Sequence, residues 1–401
     1  MRKSGHARVL MYSHDTFGLG HLQRTRTIAH ALVERFKGLS VLIVSGSPIA
    51  GAFDFRARVD FVKVPSVIKL YNGDYTSIDE HIDLSETLSL RKAIICHAAT
   101  HFRPDLFIVD KEPLGLRGEL TDTLPLLKSM GTTLVLGLRD VLDSPEQVRK
   151  EWGKRDLVRK VDQLYDQIWV YGPSDFWDPL NELTLSKTIR ERMHYTGFLM
   201  RRMPTTKSDL KLDLKSYILA TTGGGGDGEE LMTQTLAAYE HDRTLRRPLL
   251  LVLGPFMTTQ NRQRIKRRAA KLDHVTVIDF HNRMEALIKN AAGIVSMCGY
   301  NTFCEILSFN KRALVIPRTT PRQEQLIRAR RANELGLMEF LSPEAAADPH
   351  TLARALHALP VQRKPSHAEV RLSLEGLDTI GGLVERDLGR RRKPVLAEAE
   401  A

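Results

Sequence analysis

Two glycine-rich turns in this chain are suited to holding a phosphorylated ligand. The first spans 14–21 and reads His-Asp-Thr-Phe-Gly-Leu-Gly-His, and the second spans 223–228 and reads Gly-Gly-Gly-Gly-Asp-Gly. Each turn lies between a predicted strand and a predicted helix, where free backbone N–H groups meet the positive end of the helix dipole. The two turns therefore predict twin α/β domains that face a shared cleft.

His21 is the first candidate for chemistry, because it opens the helix that follows the first turn. Repulsion by the helix dipole should keep its imidazole neutral, and a neutral imidazole can act as a general base. Arg24 lies one helical turn later on the same side and could contact an anionic group. In the alternative interpretation, His21 only bonds a loop carbonyl and Arg24 pairs with a carboxylate. The position directly after a Gly-x-Gly turn favours the catalytic interpretation.

A second candidate site lies at 296–305, where a buried strand ends and a helix is predicted to begin near Asn301. Gly299 permits the turn, and the free N–H groups of the helix can receive a diphosphate. Glu305 could accept hydrogen bonds from two vicinal ribose hydroxyls. Thr302 and Glu305 also have the spacing of a capping box, which would make the pair structural instead.

Polar residues also follow three other predicted strands. The segment 317–325 ends in Glu324 and Gln325, whose carboxylate and amide suit the hydroxyls of a sugar, although a solvated helix start is the alternative. Asp110 and Asp140 each end a strand on the presumed cleft side and are candidates for the acceptor side. Helix-capping or loop roles are equally open for both aspartates.

The charge of the chain favours anionic partners. Its formal net charge is +11 over 401 residues, which suits nucleotide sugars, phospholipid headgroups or nucleic acid. Basic clusters at 262–268, 328–331 and 390–393 are interpreted as solvated helix faces and a charged tail. Aromatic residues make up 6% and do not alternate with the basic ones, so a non-catalytic nucleic-acid-binding module is the weaker alternative.

The cysteines and the apolar runs predict a cytoplasmic protein. Cys96, Cys298 and Cys304 form no C-x-x-C pair and leave an odd count, so a reducing compartment fits best. Cys298 and Cys304 are interpreted as packing residues, because no neighbour would activate a thiolate. We expect no signal segment before the first strand, and no run approaches the ~18 apolar residues of a spanning helix. Any contact with an anionic membrane should be peripheral.

The hydrophobic pattern predicts an α/β protein with two Rossmann-like domains. Continuous apolar strands between helices indicate parallel sheets covered on both faces. The predicted strands are 8–13, 40–45, 60–64, 106–110, 133–138, 167–170, a piece near Tyr195, 216–221, 248–253, 275–278, 293–297 and 313–316, and the clearest helix is 21–35. A polar linker at 201–215 divides a domain at 1–204 from one at 205–388. A last helix at 367–388, broken at Gly381-Gly382, should cross back to the first domain before a charged tail at 389–401.

These motifs, in this order, resemble the GT-B glycosyltransferases with a family 28-type C-terminal domain, which is best known from the peptidoglycan N-acetylglucosaminyltransferase. The resemblance is specific over about 296–336, and the fuller chain is similar to a group of predicted bacterial glycosyltransferases. It implies that His21 is the base and that Glu305 binds ribose, while the paired glutamines of the family are Glu324-Gln325 here. The donor-binding set that it implies is Gly20, Gly223, Gly224, Gly225, Cys298, Gly299, Asn301, Thr302, Glu305, Glu324 and Gln325.

The resemblance implies an inverting transfer of a hexose, such as N-acetylglucosamine, from a UDP-sugar to a hydroxyl acceptor. The Gly-x-Gly-His-x-x-Arg element also resembles the UDP-sugar hydrolase of pseudaminic acid synthesis, which passes the sugar to water and is the alternative. The chain has no D-x-D motif. We therefore expect helix N-termini and basic side chains, rather than a metal, to stabilise the leaving diphosphate. No cofactor beyond the UDP-sugar co-substrate and no nucleic-acid partner is expected.

Overall fold

A computed structural model describes residues 6–15, 19–69, 75–77, 81–154, 156–203, 214 and 216–392. Residues 16–18 of the first glycine turn, most of the linker expected at 201–215 and the tail from 393 onward lie outside these ranges. The described residues form two α/β domains, which confirms the predicted fold class.

The N-terminal domain is built on a seven-stranded parallel sheet in the order β3-β2-β1-β6-β7-β8-β9. Its strands are β1 (Ala7–Ser13), β2 (Leu39–Ser45), β3 (Val59–Lys63), β6 (Leu106–Asp110), β7 (Thr133–Arg139), β8 (Gln167–Tyr171) and β9 (Met193–Tyr195), and a separate hairpin pairs β4 (Val67–Lys69) with β5 (Tyr75–Ser77). Its helices are α1 (Gly20–Arg35), α2 (Leu84–Phe102), α3 (Thr123–Ser129), α4 (Pro145–Lys154), α5 (Leu157–Leu164) and α6 (Lys187–Glu191).

The C-terminal domain contains a six-stranded parallel sheet in the order β12-β11-β10-β13-β14-β15. Its strands are β10 (Tyr217–Thr221), β11 (Leu249–Val252), β12 (Val275–Ile278), β13 (Ala291–Ser296), β14 (Ala313–Val315) and β15 (Glu339–Phe340). Its helices are α7 (Glu229–His241), α8 (Thr259–Ala269), α9 (Met284–Asn290), α10 (Tyr300–Ser308), α11 (Glu324–Glu334), α12 (Pro343–Ala346), α13 (Pro349–Ala358) and α14 (Gly376–Arg392).

Both sheets reverse their strand order at the centre. In the first sheet β1 lies between β2 and β6, and in the second β10 lies between β11 and β13. The central strands are mostly apolar and buried because helices cover both faces, and every residue of β10 is buried. Open sheets of this kind bind ligands outside the carboxyl ends of the strands, at the point of reversal. The two predicted turns leave the sheets at these points.

The end of the chain differs from the expected helix at 367–388. Residues 365–367 form a single 3₁₀ turn, and α14 begins at Gly376 and continues through Gly381 and Gly382 to Arg392. A Cβ on Gly381 would lie 2.7 Å from the side chain of Arg35. The glycine therefore lets α14 pack closely on α1 instead of breaking the helix, and α14 crosses back to the N-terminal domain. Residues 389–392, expected in the charged tail, belong to this helix.

A buried ion pair joins the two domains. Arg328 on α11 donates to both carboxylate oxygens of Asp140, at the end of β7, over 2.8 and 2.7 Å. Both side chains are 0% exposed, and Arg328 also donates to the carbonyl of Cys298. The interpretation of 328–331 as a solvated basic face is therefore wrong for Arg328. Asp140, a candidate for the acceptor side, is fully engaged between the domains instead.

Further contacts extend this junction on either side of the ion pair. Arg322 pairs with Asp143 at 3.0 Å and with Glu151 at 2.8 Å, both from the N-terminal domain. On the other side, the rings of Phe176 and Phe303 lie 5.4 Å apart across the junction. The described residues thus hold the two domains in a closed arrangement.

Breaking the buried pair should destabilise the protein strongly. Arg328→Met leaves the Asp140 carboxylate buried without its partner, and the free energy of unfolding should fall by about 3–5 kcal/mol. Arg149→Met removes the exposed pair with Glu182, whose side chains are 53% and 43% exposed, and should cost about 0–1 kcal/mol. Denaturant unfolding of both variants makes the comparison. Equal losses would show that the buried pair contributes no more than a surface pair.

Candidate active site

A carboxylate at the end of β6 organises the first candidate site. Asp110 is 4% exposed and lies beside α1, because β6 is the neighbour of β1 at the reversal point. Arg24 contacts both Asp110 oxygens through Nη2, at 2.6 and 2.8 Å, and donates through Nε over 3.0 Å. His21 Nδ1 also bonds Asp110. Residues predicted separately as a base, an anion contact and an acceptor-side group therefore form one cluster.

The charge of Arg24 keeps Asp110 ionised. Burial alone would raise the pKa of Asp110, but the neighbouring guanidinium and the imidazole hold it well below its usual range. Burial lowers the pKa of His21 to about 4, although Asp110 opposes this shift. The imidazole is therefore neutral at pH 7, as predicted, but burial is the main cause rather than the helix dipole.

The arrangement also selects the tautomer of His21. Because Asp110 is ionised and can only accept, His21 Nδ1 must carry the proton. Arg24 Nη2 lies 3.1 Å from this same nitrogen, but two donors cannot bond each other, so the guanidinium acts through the shared carboxylate. The Nε2 atom of His21 is left with a lone pair, as a general base requires.

The structure changes the roles expected for two of these residues. Arg24 is 1% exposed and pairs with a carboxylate, which was the alternative interpretation. Its described contacts therefore position Asp110 and His21. Asp110 itself bonds His21 and Arg24 and caps no helix, so its contacts fit neither the acceptor-side candidacy nor the capping alternative.

The second glycine turn packs against the neighbouring loop. Gly225 has φ +85, and a Cβ there would lie 2.2 Å from the carbonyl oxygen of Leu253, so this position requires glycine whether or not a ligand binds. The Gly224 carbonyl accepts a hydrogen bond from Phe256 N over 2.9 Å. Nothing lies within 4 Å of a Cβ placed on Gly223. Gly223 thus borders open space at the carboxyl end of β10.

Helix α10 begins one residue earlier than expected, at Tyr300, with Gly299 as its N-cap. Thr302 therefore lies inside the first turn, and the capping box with Glu305 does not form. Asn301 Nδ2 donates to the carbonyl of Gly20 over 3.0 Å, which brings the start of α10 against the start of α1. The amino ends of these two helices face each other across the domain junction.

Cys298 precedes this helix in a left-handed conformation, with φ +62. Its side chain is 0% exposed and packs in the hydrophobic core, where burial raises the pKa of the thiol to about 12. The thiol is therefore part of the core rather than of a nucleotide-sugar site. What Cys298 supplies there is the left-handed backbone turn before α10.

Glu305 lies under α1 in the closed arrangement. It is 3% exposed, and its Oε1 accepts a hydrogen bond from Gln23 Nε2 over 3.3 Å. Burial raises its pKa to about 8, and the charge of Glu285 adds to the shift. The carboxyl group is therefore mainly protonated at pH 7.

The start of α11 presents a buried carboxylate. Glu324 is 3% exposed, and one oxygen accepts from Arg318 Nη2 over 2.7 Å. Its Oε2 atom is buried without a hydrogen-bond partner among the described residues. Although burial opposes it, the charges of Arg139 and Arg318 hold the pKa of Glu324 below its usual value. Gln325 Oε1 accepts from Arg318 N over 3.2 Å, so both predicted sugar-binding residues are held at this corner.

Two cations near the cleft were not predicted from the sequence. Lys111 directly follows Asp110, and its charge acts on both His21 and Glu324. Arg139 ends β7, and its Nε is buried without a hydrogen-bond partner in the ranges that the structure covers. Their sequence position could have identified them, because Lys111 follows the candidate Asp110 and Arg139 precedes the candidate Asp140.

Two further features bear on ligands and membranes. Across the described ranges, no group of three or more histidine, cysteine, aspartate or glutamate residues is arranged to hold a metal ion. None of the helices in the same ranges has the length and apolar character needed to cross a membrane.

Residues 200–370 match the glycosyltransferase family 28 C-terminal domain. This match covers the Gly223 turn, α10 and α11, which carry the donor-side candidates. No curated protein sequence matches the chain. The suspected family 28-type domain is thereby confirmed for the C-terminal half.

Solved structures extend the likeness to the whole chain. The calicheamicin glycosyltransferase CalG4 has 14% identity and a TM-score of 0.60, covering 97% of this chain and 100% of that one. MurG from Acinetobacter baumannii has 12% identity and a TM-score of 0.55, covering 95% and 99%. The UDP complex of MnaA from S. aureus has 14% identity and a TM-score of 0.61, covering 97% and 99%. At these identities the likeness establishes the GT-B fold.

The environment of His21 predicts an unusual titration. In ring-labelled protein followed by NMR, His21, assigned from its loss in His21→Gln, should titrate near pH 4. In Asp110→Asn its pKa should fall further, because Asp110 is the group that raises it. Asp122→Asn removes an exposed carboxylate paired with Lys92 and should leave the titration in place.

The lowered pKa of His21 also determines how the stability of the protein changes with pH. The unfolded chain binds a proton on this histidine near its ordinary pKa of 6.5, whereas the folded chain binds it only near 4. The contribution of His21 to the free energy of unfolding is therefore present above pH 6.5 and lost as the pH falls towards 4. A His21 titration at or above pH 6.5 would contradict a buried, neutral imidazole beside the ionised Asp110.

Proposed function

We propose that this GT-B protein with a family 28 C-terminal domain is a glycosyltransferase that moves a hexose from a UDP-sugar to a hydroxyl acceptor. The observation that carries the proposal is the neutral His21, oriented by Asp110 at the reversal point of the first sheet and facing the donor-side helices of the second. His21 Nε2 removes the proton of the acceptor hydroxyl. The acceptor oxygen then bonds the anomeric carbon while the bond from that carbon to UDP breaks, which inverts the configuration.

The donor would lie across the carboxyl ends of β10 and β13. The open space at Gly223 and the free N–H groups of α10, which begins at Tyr300, suit a diphosphate. Glu305 lies further along the same helix. Its carboxylate could accept hydrogen bonds from the ribose hydroxyls once the Gln23 amide moves away from it. The unpartnered Oε2 of Glu324 offers a buried acceptor for a sugar hydroxyl.

We propose that this transfer needs no metal ion. The departing UDP gains negative charge, which the amino end of α10 can stabilise. Arg139 adds a cation whose Nε has no hydrogen-bond partner among the described residues. Its guanidinium lies beside the pair formed by Arg328 and Asp140, whose charges both act on it.

Hydrolysis of the UDP-sugar is the less favoured alternative. The fold alone does not separate the reactions, but the family 28 domain at 200–370 supports transfer. The two also differ in product, because a hydrolase yields free sugar from the donor without any acceptor. Release of UDP only in the presence of an acceptor would support transfer.

Removing the proposed base should slow the reaction without weakening the binding of UDP. His21→Ala should lower kcat about 10²–10⁴-fold, the usual value of general-base assistance, with nearly unchanged UDP affinity. His101→Ala, an exposed histidine at the end of α2, is the control and should retain full activity. The assay measures UDP release with donor and acceptor in the presence of EDTA, where turnover should persist. An unchanged kcat in His21→Ala would show that His21 is not the general base.

Binding of UDP should depend on the ionisation of Glu305. Since ribose hydroxyls donate to the carboxylate and the pKa of Glu305 is about 8, UDP affinity should rise about tenfold from pH 7 to pH 9, with proton release. Glu305→Gln should lose this pH dependence and bind more weakly. Glu334→Gln, on an exposed side chain of α11, should behave as the unaltered protein. Calorimetry in two buffers of different ionisation enthalpy measures both effects, and an unchanged profile in Glu305→Gln would reject the ribose role.

A further inference from the structure

A pocket of about 280 Å³ lies beside His21 on the N-terminal side of the cleft. His14 lines it, and the His14 ring meets the His21 ring edge-on, with 5.5 Å between centroids. Lys111 lines it as well and follows Asp110 directly. A molecule in this pocket is therefore close to the proposed base, on the side where an acceptor would approach.

One wall of the pocket is apolar. It is formed by Leu116, Leu142, Val148, Trp152 and Leu157, and Tyr75 adds a second aromatic ring. Trp152 is 5% exposed, so its ring is fixed by its surroundings rather than free in solvent. The volume lies at the lower limit of small-molecule sites, about 300 Å³, and suits a group of the size of a substituted ring.

The pocket lining also carries three cations, Lys111, Arg117 and Arg322, and two carboxylates, Glu112 and Glu151. Arg322 is engaged by Glu151 over 2.8 Å. Lys111 Nζ lies 3.9 Å from Glu112, which is beyond hydrogen-bond distance. Arg117 is exposed, and its guanidinium lies 5.2 Å from the centre of the Tyr75 ring. The lining therefore carries three positive charges against two negative ones, and Asp143, outside the lining, also pairs with Arg322.

The backbone holds the two less engaged cations in place. Lys111 has φ +69 and Arg117 has φ +51, a left-handed region that residues other than glycine seldom adopt. Lys111 N donates to the carbonyl of Gly137 over 2.8 Å, which fixes the first of these turns.

The environment of Lys111 is consistent with an anionic ligand. Burial lowers its pKa to about 8, and the charge of Arg322 adds to this effect. The ammonium group is still mostly charged at pH 7 but is poorly solvated, because its side chain is 14% exposed. An anion placed beside it would gain a charge-assisted hydrogen bond with little competition from water.

We propose that this pocket selects an acceptor that joins an anionic group, a carboxylate or a phosphate, to an apolar or aromatic body. Lys111 and Arg117 bind the anionic group, and the wall around Trp152 packs against the apolar body. The inference rests on the proposed transfer, because it takes the pocket as the acceptor side of that reaction.

Binding of three matched probes tests the proposal without any turnover. The probes are para-hydroxybenzoate, para-hydroxyphenyl phosphate and the neutral para-hydroxybenzamide, each titrated by calorimetry into the full chain. At least one anion should bind about ten- to a hundredfold more tightly than the amide, the range of a charge-assisted hydrogen bond. The tighter of the two anions identifies which group the pocket prefers.

Two variants test whether the preference for an anion arises in this pocket. Lys111→Met should weaken the preferred anion about ten- to a hundredfold and leave the amide unchanged, and Arg117→Gln should act in the same direction. Arg103→Gln is the control, since Arg103 is another exposed cation with positive φ, of +48, outside the pocket lining. It should retain the preference of the unaltered protein.

Three results would overturn the proposal. They are equal binding of the amide and both anions, no binding of any probe by protein that binds UDP, and an anion preference that survives Lys111→Met. A UDP titration of the same samples separates this proposal from the proposed function. Anion preference without UDP binding would reject the donor but keep the pocket, whereas UDP binding without anion preference would reject the pocket alone.

Discussion

The ionised Asp110 carboxylate is the constraint on which the N-terminal half of the site depends. A carboxylate at 4% exposure would be costly without compensation, and Arg24 supplies the opposite charge through three short contacts. With the carboxylate fixed, His21 has one orientation and one tautomer. The lone pair at Nε2 thus follows from the ion pair between Arg24 and Asp110.

The same logic explains why α1 begins where it does. The helix must bring His21 and Arg24 to the end of β6, and strand pairing places β6 directly beside β1. The reversal of strand order opens the space above these two strands, so His21 lies at the switch point of the sheet. An equivalent reversal lies beside β10 in the other domain, and the start of α10 contacts the start of α1.

Much of the fold could be predicted from the sequence, because strands buried on both faces leave continuous apolar runs between glycine turns. The short hairpin of β4 and β5 could not, since each strand has only three residues and no periodicity. Local motifs also located His21, Glu305 and Glu324.

No local sequence pattern could identify the partners of these residues. His21 and Asp110 are 89 positions apart, and Arg328 and Asp140 are 188 apart. Only the strand order brings the first pair together, and only the domain contact brings the second. The basic run at 328–331 has the composition of a solvated face, so nothing in it distinguishes the buried arginine from its exposed neighbours.

The two passages of the chain between the domains lie side by side. Leu199 bridges Glu375, Phe198 N donates to the carbonyl of Ser373 over 2.8 Å, and Gly376 N donates to the carbonyl of Phe198 over 3.1 Å. Two adjacent crossings joined by hydrogen bonds act as one mechanical axis. Translation of one domain along the other would break these bonds, whereas rotation about the axis preserves them. Separating α10 from α1 by such a rotation would leave this crossing intact, but it would break the hydrogen bond from Asn301 to the carbonyl of Gly20.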